Sequence, residues 1–179
     1  MTPFSFTTMS PPWVVFAPEG DPRVRGEIDA LTAAGGRVTV LAARDLATPR
    51  QVFDTFAAAL AFPGYFGRNW DALVDCLSNL HGQVRQRDMA VVVEAAESLL
   101  DADFLALFVS VLGQAAERAV FRVDAEGLPH ALPLYAQHFV FEFAPDAAAA
   151  SDFAAVLRSR PELVAEERDG LVLVRLAPR

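Results

Sequence analysis

The stretch Phe62-Pro63-Gly64-Tyr65-Phe66-Gly67-Arg68-Asn69-Trp70-Asp71-Ala72-Leu73-Val74-Asp75-Cys76-Leu77 joins a loop rich in aromatic residues to the start of a helix. At about 100° per residue, Trp70, Leu73, Val74, Leu77 and Leu80 fall on one side. Asp71, Asp75, Ser78 and Asn79 fall on the other. Asn69 stands at the N-cap position, where its carboxamide oxygen can accept a backbone N–H of the first turn. Gly64 and Gly67 give the loop ahead of it backbone freedom. Asp71 and Asp75 are four residues apart, and like charges at that spacing cost an isolated helix roughly 0.2–0.5 kcal/mol. Two carboxylates on one polar face read as an anion-presenting surface, not a catalytic cleft. A plainer reading stands beside it: a carboxylate in the first turn is favoured by the helix dipole whether or not anything binds, and Asp75 can simply be solvated.

Working outward, the chain alternates strands and helices, the pattern of an α/β fold. Val14 to Ala17 reads as a strand, and Asp21-Pro22 places a cap and a proline at the start of a helix striped by Val24, Ile28 and Leu31. Gly35-Gly36 ends it, and Arg37 to Ala42 is a second strand. Thr48, Pro49 and Gln51 form a capping-box start for a helix burying Val52, Phe53, Phe56 and Leu60. Met89 to Val93 is a continuous apolar run, expected as a central strand covered on both faces. Asp101 to about Arg118 is helical by period, and Ala119 to Val123 either extends it or forms another strand. Gly127, Pro129 and Pro133 interrupt the next segment, before a strand at Phe139 to Phe143 and a helix over Ala147 to Arg158. Leu163 to Glu167 and Leu171 to Leu176 then flank Arg168-Asp169-Gly170, a hairpin turn with glycine at positive φ.

Composition narrows the function. The 179 residues are 53% hydrophobic, enough for a sizeable core. The longest apolar runs fall short of the roughly 20 residues of a membrane span. The first twelve residues lack a signal-peptide pattern, and Pro3, Pro11 and Pro12 mark residues 1–12 as a flexible tail ahead of a single domain at 13–179. Cys76 is the only cysteine, which rules out an intrachain disulfide and fits a reducing cytoplasm. It lies toward the apolar side of its helix, as a packing residue rather than a nucleophile. All 15 basic residues are arginine, against 23 acids, for a net charge of -8. That balance argues against direct nucleic-acid binding and suits a basic partner. His81, His130 and His138 show no metal-ligand spacing, no phosphate-binding glycine loop is present, and no cofactor is expected. An acid/base dyad of Asp71 and Asp75 would need burial or coupling to raise one pKa, which a polar helix face does not offer.

The order Pro63, Tyr65-Phe66-Gly67, Asn69, Asp71-Ala72-Leu73 and Asp75-Cys76-Leu77 resembles the barstar family, intracellular inhibitors of secreted bacterial ribonucleases. The resemblance, with flanking elements in compatible order, spans about residues 38–144. It implies a mainly parallel sheet flanked by helices, in two layers or three; the strand and helix read ahead of that core, and the helix and hairpin read over about 145–179, go beyond the family's pattern and are expected to extend one sheet. It further implies that the helix and its loop plug a nuclease active site, carboxylates standing where RNA phosphates sit. The implied contact positions are Tyr65, Asn69, Asp71, Asp75 and Ser78, with Asp75 as the central phosphate mimic and Asn79 beside them. A further carboxylate ahead of a later helix corresponds to Asp103, with Asp101 as the alternative. Val74 and Leu80 stand where the family has tryptophan, and Arg68 where it has an acid, so the expected target is a basic ribonuclease or related toxin of its own kind. The free protein is expected to be a monomer. The alternative is an interaction module on the same fold that inhibits nothing.

Overall fold

A computed structural model describes residues 2–80, 87–120, 128 and 135–178. The chain passes through β1 (Val14–Pro18), α1 (Pro22–Ala33), β2 (Arg37–Ala42), α2 (Pro49–Ala59) and α3 (Trp70–Ser78). It continues through β3 (Met89–Glu94), α4 (Leu105–Val120), β4 (Gln137–Phe143), α5 (Ala150–Leu157), β5 (Leu163–Arg168) and β6 (Leu171–Leu176). The strands form one six-stranded sheet in the order β2-β3-β4-β1-β6-β5. β2, β3, β4 and β1 run parallel, with Val38 opposite Ala90, Val91 opposite Phe139, and Val14 opposite Phe139. β6 then pairs antiparallel with β1, and β5 with β6. The terminal additions therefore extend the sheet on the β4 side.

The period of two along each strand divides the core into two layers. Val14, Phe16, Met89, Val91, Val93, Phe139, Phe141, Val172 and Val174 face one side, under α2, α3, α4 and α5. Phe16 stacks on Phe141 with ring centroids 4.7 Å apart and meets Phe153 of α5 at 4.8 Å. Each fully buried phenylalanine of this kind contributes about 1.5–3 kcal/mol of hydrophobic stabilisation. Val15, Ala17, Ala90, Val92, Val140, Leu171 and Leu173 face the other side, under α1. The architecture is thus three-layered, helices covering both faces, which accounts for the unbroken apolar run of β3.

The N-terminal segment is not the loose tail that its prolines imply. Phe4 and Phe6 are buried against the second layer, and the Phe6 N–H donates to Glu27 Oε2 at 3.0 Å. The reason is area: α1 buries only Val24 and Leu31, leaving sheet surface that the two phenylalanines cover. α4 begins at Leu105 rather than Asp101, and Ala119 and Val120 continue it, while residues 121–123 lie outside the described residues. So do His81, Gly127, Pro129, His130 and Pro133. At the end of α1, Gly35 takes φ +81, and a Cβ on Gly36 would lie 2.3 Å from Leu31 Cδ1 and 2.9 Å from the Asp88 carbonyl. The hairpin turn places Asp169 and Gly170 at φ +50 and +79, the pairing that a two-residue turn between twisted strands requires.

Candidate partner-binding face

α3 is fastened at both ends. At its start the Ala72 N–H donates to Asn69 Oδ1 at 2.8 Å, and Asn69 Nδ2 reaches back to the Gly67 carbonyl at 3.4 Å. At its end the Leu77 carbonyl accepts from Gln137 Nε2 at 2.7 Å and from the Tyr135 hydroxyl at 3.0 Å, both buried. Between them Leu73, Val74 and Leu77 are buried. Trp70 packs edge-on to Phe53 at 4.8 Å and against Phe104 and Phe108 at about 6 Å.

The preceding loop is held by Phe66, which is buried and meets Phe53 and Phe62 edge-on. Its neighbour Tyr65 projects outward, 86% exposed. The left-handed backbone of this loop falls on Ala61 (φ +50) and Arg68 (φ +47), and neither Gly64 nor Gly67 has positive φ. The freedom expected of the two glycines is therefore unused. A left-handed non-glycine residue costs about 1 kcal/mol or more. Arg68 is anchored in that state by its Nε, which donates to Asp54 Oδ1 of α2 at 2.7 Å. Arg50 lies 3.8 Å from the same carboxylate, and these side chains line a groove with Phe53, Ala57 and Ala58.

On the polar side of α3, Asp71 and Asp75 are exposed, and Asn79 is exposed at the C-cap. Asp103 is exposed just ahead of α4. Ser78 departs from the expected face: it is 4% exposed, and its hydroxyl donates to the Asp75 carbonyl at 3.3 Å. It follows Leu77 at the end where Tyr135 and Gln137 close over the helix, so helical period alone misplaces it. Asn69, though exposed, is committed to capping. Asp75 carries a partner that sequence reading does not supply: Arg118 Nη1 of α4 lies 2.7 Å from its Oδ1. Nothing in the local sequence links residues so far apart; only the packing of α4 beside α3 does.

The Cys76 thiol is pushed up from its ordinary pKa, by burial first and by the Asp75 charge second, which disfavours the thiolate. Among the described residues no group of three or more His, Cys, Asp or Glu could hold a metal ion. None of the helices among them is long and apolar enough to cross a membrane. The arrangement offers carboxylates, a tyrosine and a rigid helix on open surface. Such a face can occupy a cationic cleft.

A family model described as Barstar (barnase inhibitor) matches residues 37–134, more than half of the chain. The chain belongs to the barstar family. The barstar match takes in β2, α2, the Phe62–Arg68 loop, α3, β3 and α4, and so every position singled out on the face. β1, α1, β4, α5, β5 and β6 lie outside it. The family is one of inhibitors that bind a ribonuclease, not of enzymes. A comparison with curated proteins gave no match.

Proposed function

We propose that this protein is a cytoplasmic inhibitor that blocks the active site of a bacterial ribonuclease or a related basic toxin, as its immunity or antitoxin partner. The observation that carries the reading is the pair of exposed carboxylates, Asp71 and Asp75, next to the exposed Tyr65 on a helix clamped at both ends. A face ordered before binding loses little conformational entropy when it docks. The carboxylates engage active-site arginines, lysines or histidines, while Tyr65, Asn69, Asn79 and Asp103 border the contact. Ser78 contributes by holding the end of the helix rather than by touching the partner.

The test is affinity capture from the native host, followed by an RNA-cleavage assay of whatever basic protein is retained. Adding the wild-type chain or Glu166→Ala is expected to suppress cleavage. Asp71→Ala and Asp75→Ala are each expected to weaken the complex at least about tenfold in Kd, or about 1.4 kcal/mol. Equal, small effects of Asp75→Ala and Glu166→Ala would mean that the face is wrongly assigned. Capture of a protein without nuclease activity would assign the chain to the non-inhibitory alternative on the same fold.

A further inference from the structure

We infer that Arg118 determines which partner this face accepts, requiring a carboxylate on the partner beside the cation that meets Asp75. This rests on the reading of α3 as the contact face. Arg118 Nη1 and Asp75 Oδ1 are 2.7 Å apart, on different helices, and the two side chains are 60% and 65% exposed. The pair therefore sits where a partner would land rather than inside the fold. Asp75 Oδ2 accepts no hydrogen bond from the described residues, so half of the carboxylate is already occupied and half is open.

An exposed pair of this kind contributes little to stability, so its removal leaves the fold intact. Docking changes its weight, because water is removed from both groups. A partner cation that takes Asp75 over releases Arg118 into a desolvated contact, where an unmatched guanidinium is costly. A cation that shares Asp75 is brought beside a like charge. In either case a partner that is cationic throughout is penalised, and one that places a carboxylate against Arg118 is not. The same alternation continues across the loop, where Arg68 and Arg50 bracket Asp54. Arg50, Arg68 and Arg118 offset three of the four carboxylates Asp54, Asp71, Asp75 and Asp103, so this patch supplies only a small share of the net charge of -8. Selectivity here comes from the sign pattern, not from a broad acidic field.

Two probes test this: the native partner retained by affinity capture, and nona-arginine, a cationic peptide without carboxylates. Titration calorimetry with Arg118→Ala is expected to show native binding weakened about tenfold and nona-arginine binding strengthened at low salt. The native loss is expected to persist in the Asp75→Ala background, because the Arg118 contact is made to a different group on the partner. Arg118→Lys should recover part of it, and the unfolding midpoint of Arg118→Ala should stay at the wild-type value. Unchanged or tighter native binding by Arg118→Ala overturns the inference. If Asp71→Ala and Asp75→Ala also leave the native complex unaffected, the contact face itself is wrong. If they weaken it while Arg118→Ala does not, only the role of Arg118 falls.

Discussion

Lowering the pH from 7 to 5 should remove about 2 kcal/mol of stability through one side chain, His138. It is fully buried on β4, between the rings of Phe6 and Trp13 at 5.4 and 5.7 Å. Its Nε2 donates to the Ser10 carbonyl at 3.3 Å, which leaves Nδ1 bare and without a hydrogen-bond partner. Burial lowers its pKa to about 4, outweighing the Ser10 carbonyl and the more distant carboxylates of Asp88 and Glu27, which act upward. The folded state therefore keeps His138 neutral, while the unfolded chain takes up a proton near the ordinary value of 6.5. Acid favours the unfolded chain: the stability is complete above about pH 7 and is lost as the pH falls toward 4. Glu142, raised first by burial and then by Glu94, acts in the opposite direction at the lower end of this range. The measurement must therefore be a difference. Urea unfolding of wild type and His138→Gln at pH 7 and pH 5 supplies it, because Gln keeps a donor for Ser10 but does not titrate. The wild type should lose about 2 kcal/mol more than the variant, a sizeable part of a stability of about 5–15 kcal/mol. Parallel losses in the two proteins would refute a neutral, buried His138.

Gly36→Ala should destabilise by about 1–3 kcal/mol, since its Cβ meets the Asp88 carbonyl as well as Leu31. Gly67→Ala should stay within about 0.5 kcal/mol, its nearest contacts being Asn69 Nδ2 at 3.4 Å and Ala72 Cβ at 3.5 Å, and thermal melts of both check the contrast. Asn69→Ala should cost about 1 kcal/mol of stability through the lost cap, and Asn69→Asp should recover most of it in the same unfolding assay.

What could be read from the chain alone depended on the range of the interaction. β2 spans Arg37–Ala42, as branched residues between Gly36 and Ala43 imply, and Asp21, Thr48 and Asn69 cap their helices as their positions suggest. These features are set by neighbours within a few residues. The fate of Ser78 was not legible, because Tyr135 and Gln137 reach the end of α3 from beyond α4. Nor was the Arg118 partner of Asp75, which helix packing alone supplies. Phe4 and Phe6 were masked by their prolines: those residues speak against regular structure but say nothing about burial. Arg68, not Gly67, takes the left-handed backbone, and its guanidinium reaches Asp54 on a different helix, a contact again invisible to local reading.

The position of β1 within the sheet bears on how the molecule comes together. Val14 pairs with Phe139 on one side and Val174 on the other, so among the described residues β1 is the strand that joins the parallel strands to the β5-β6 hairpin within the sheet. During synthesis β1 emerges long before either neighbour and waits as an unsatisfied edge. The hairpin can form locally and finds further surface on α4 and α5, but its place in the sheet is completed only when β6 pairs with β1. Completing this half of the sheet is thus slowed by the length of chain to be looped out, and β1 is meanwhile open to anything that captures an unpaired strand.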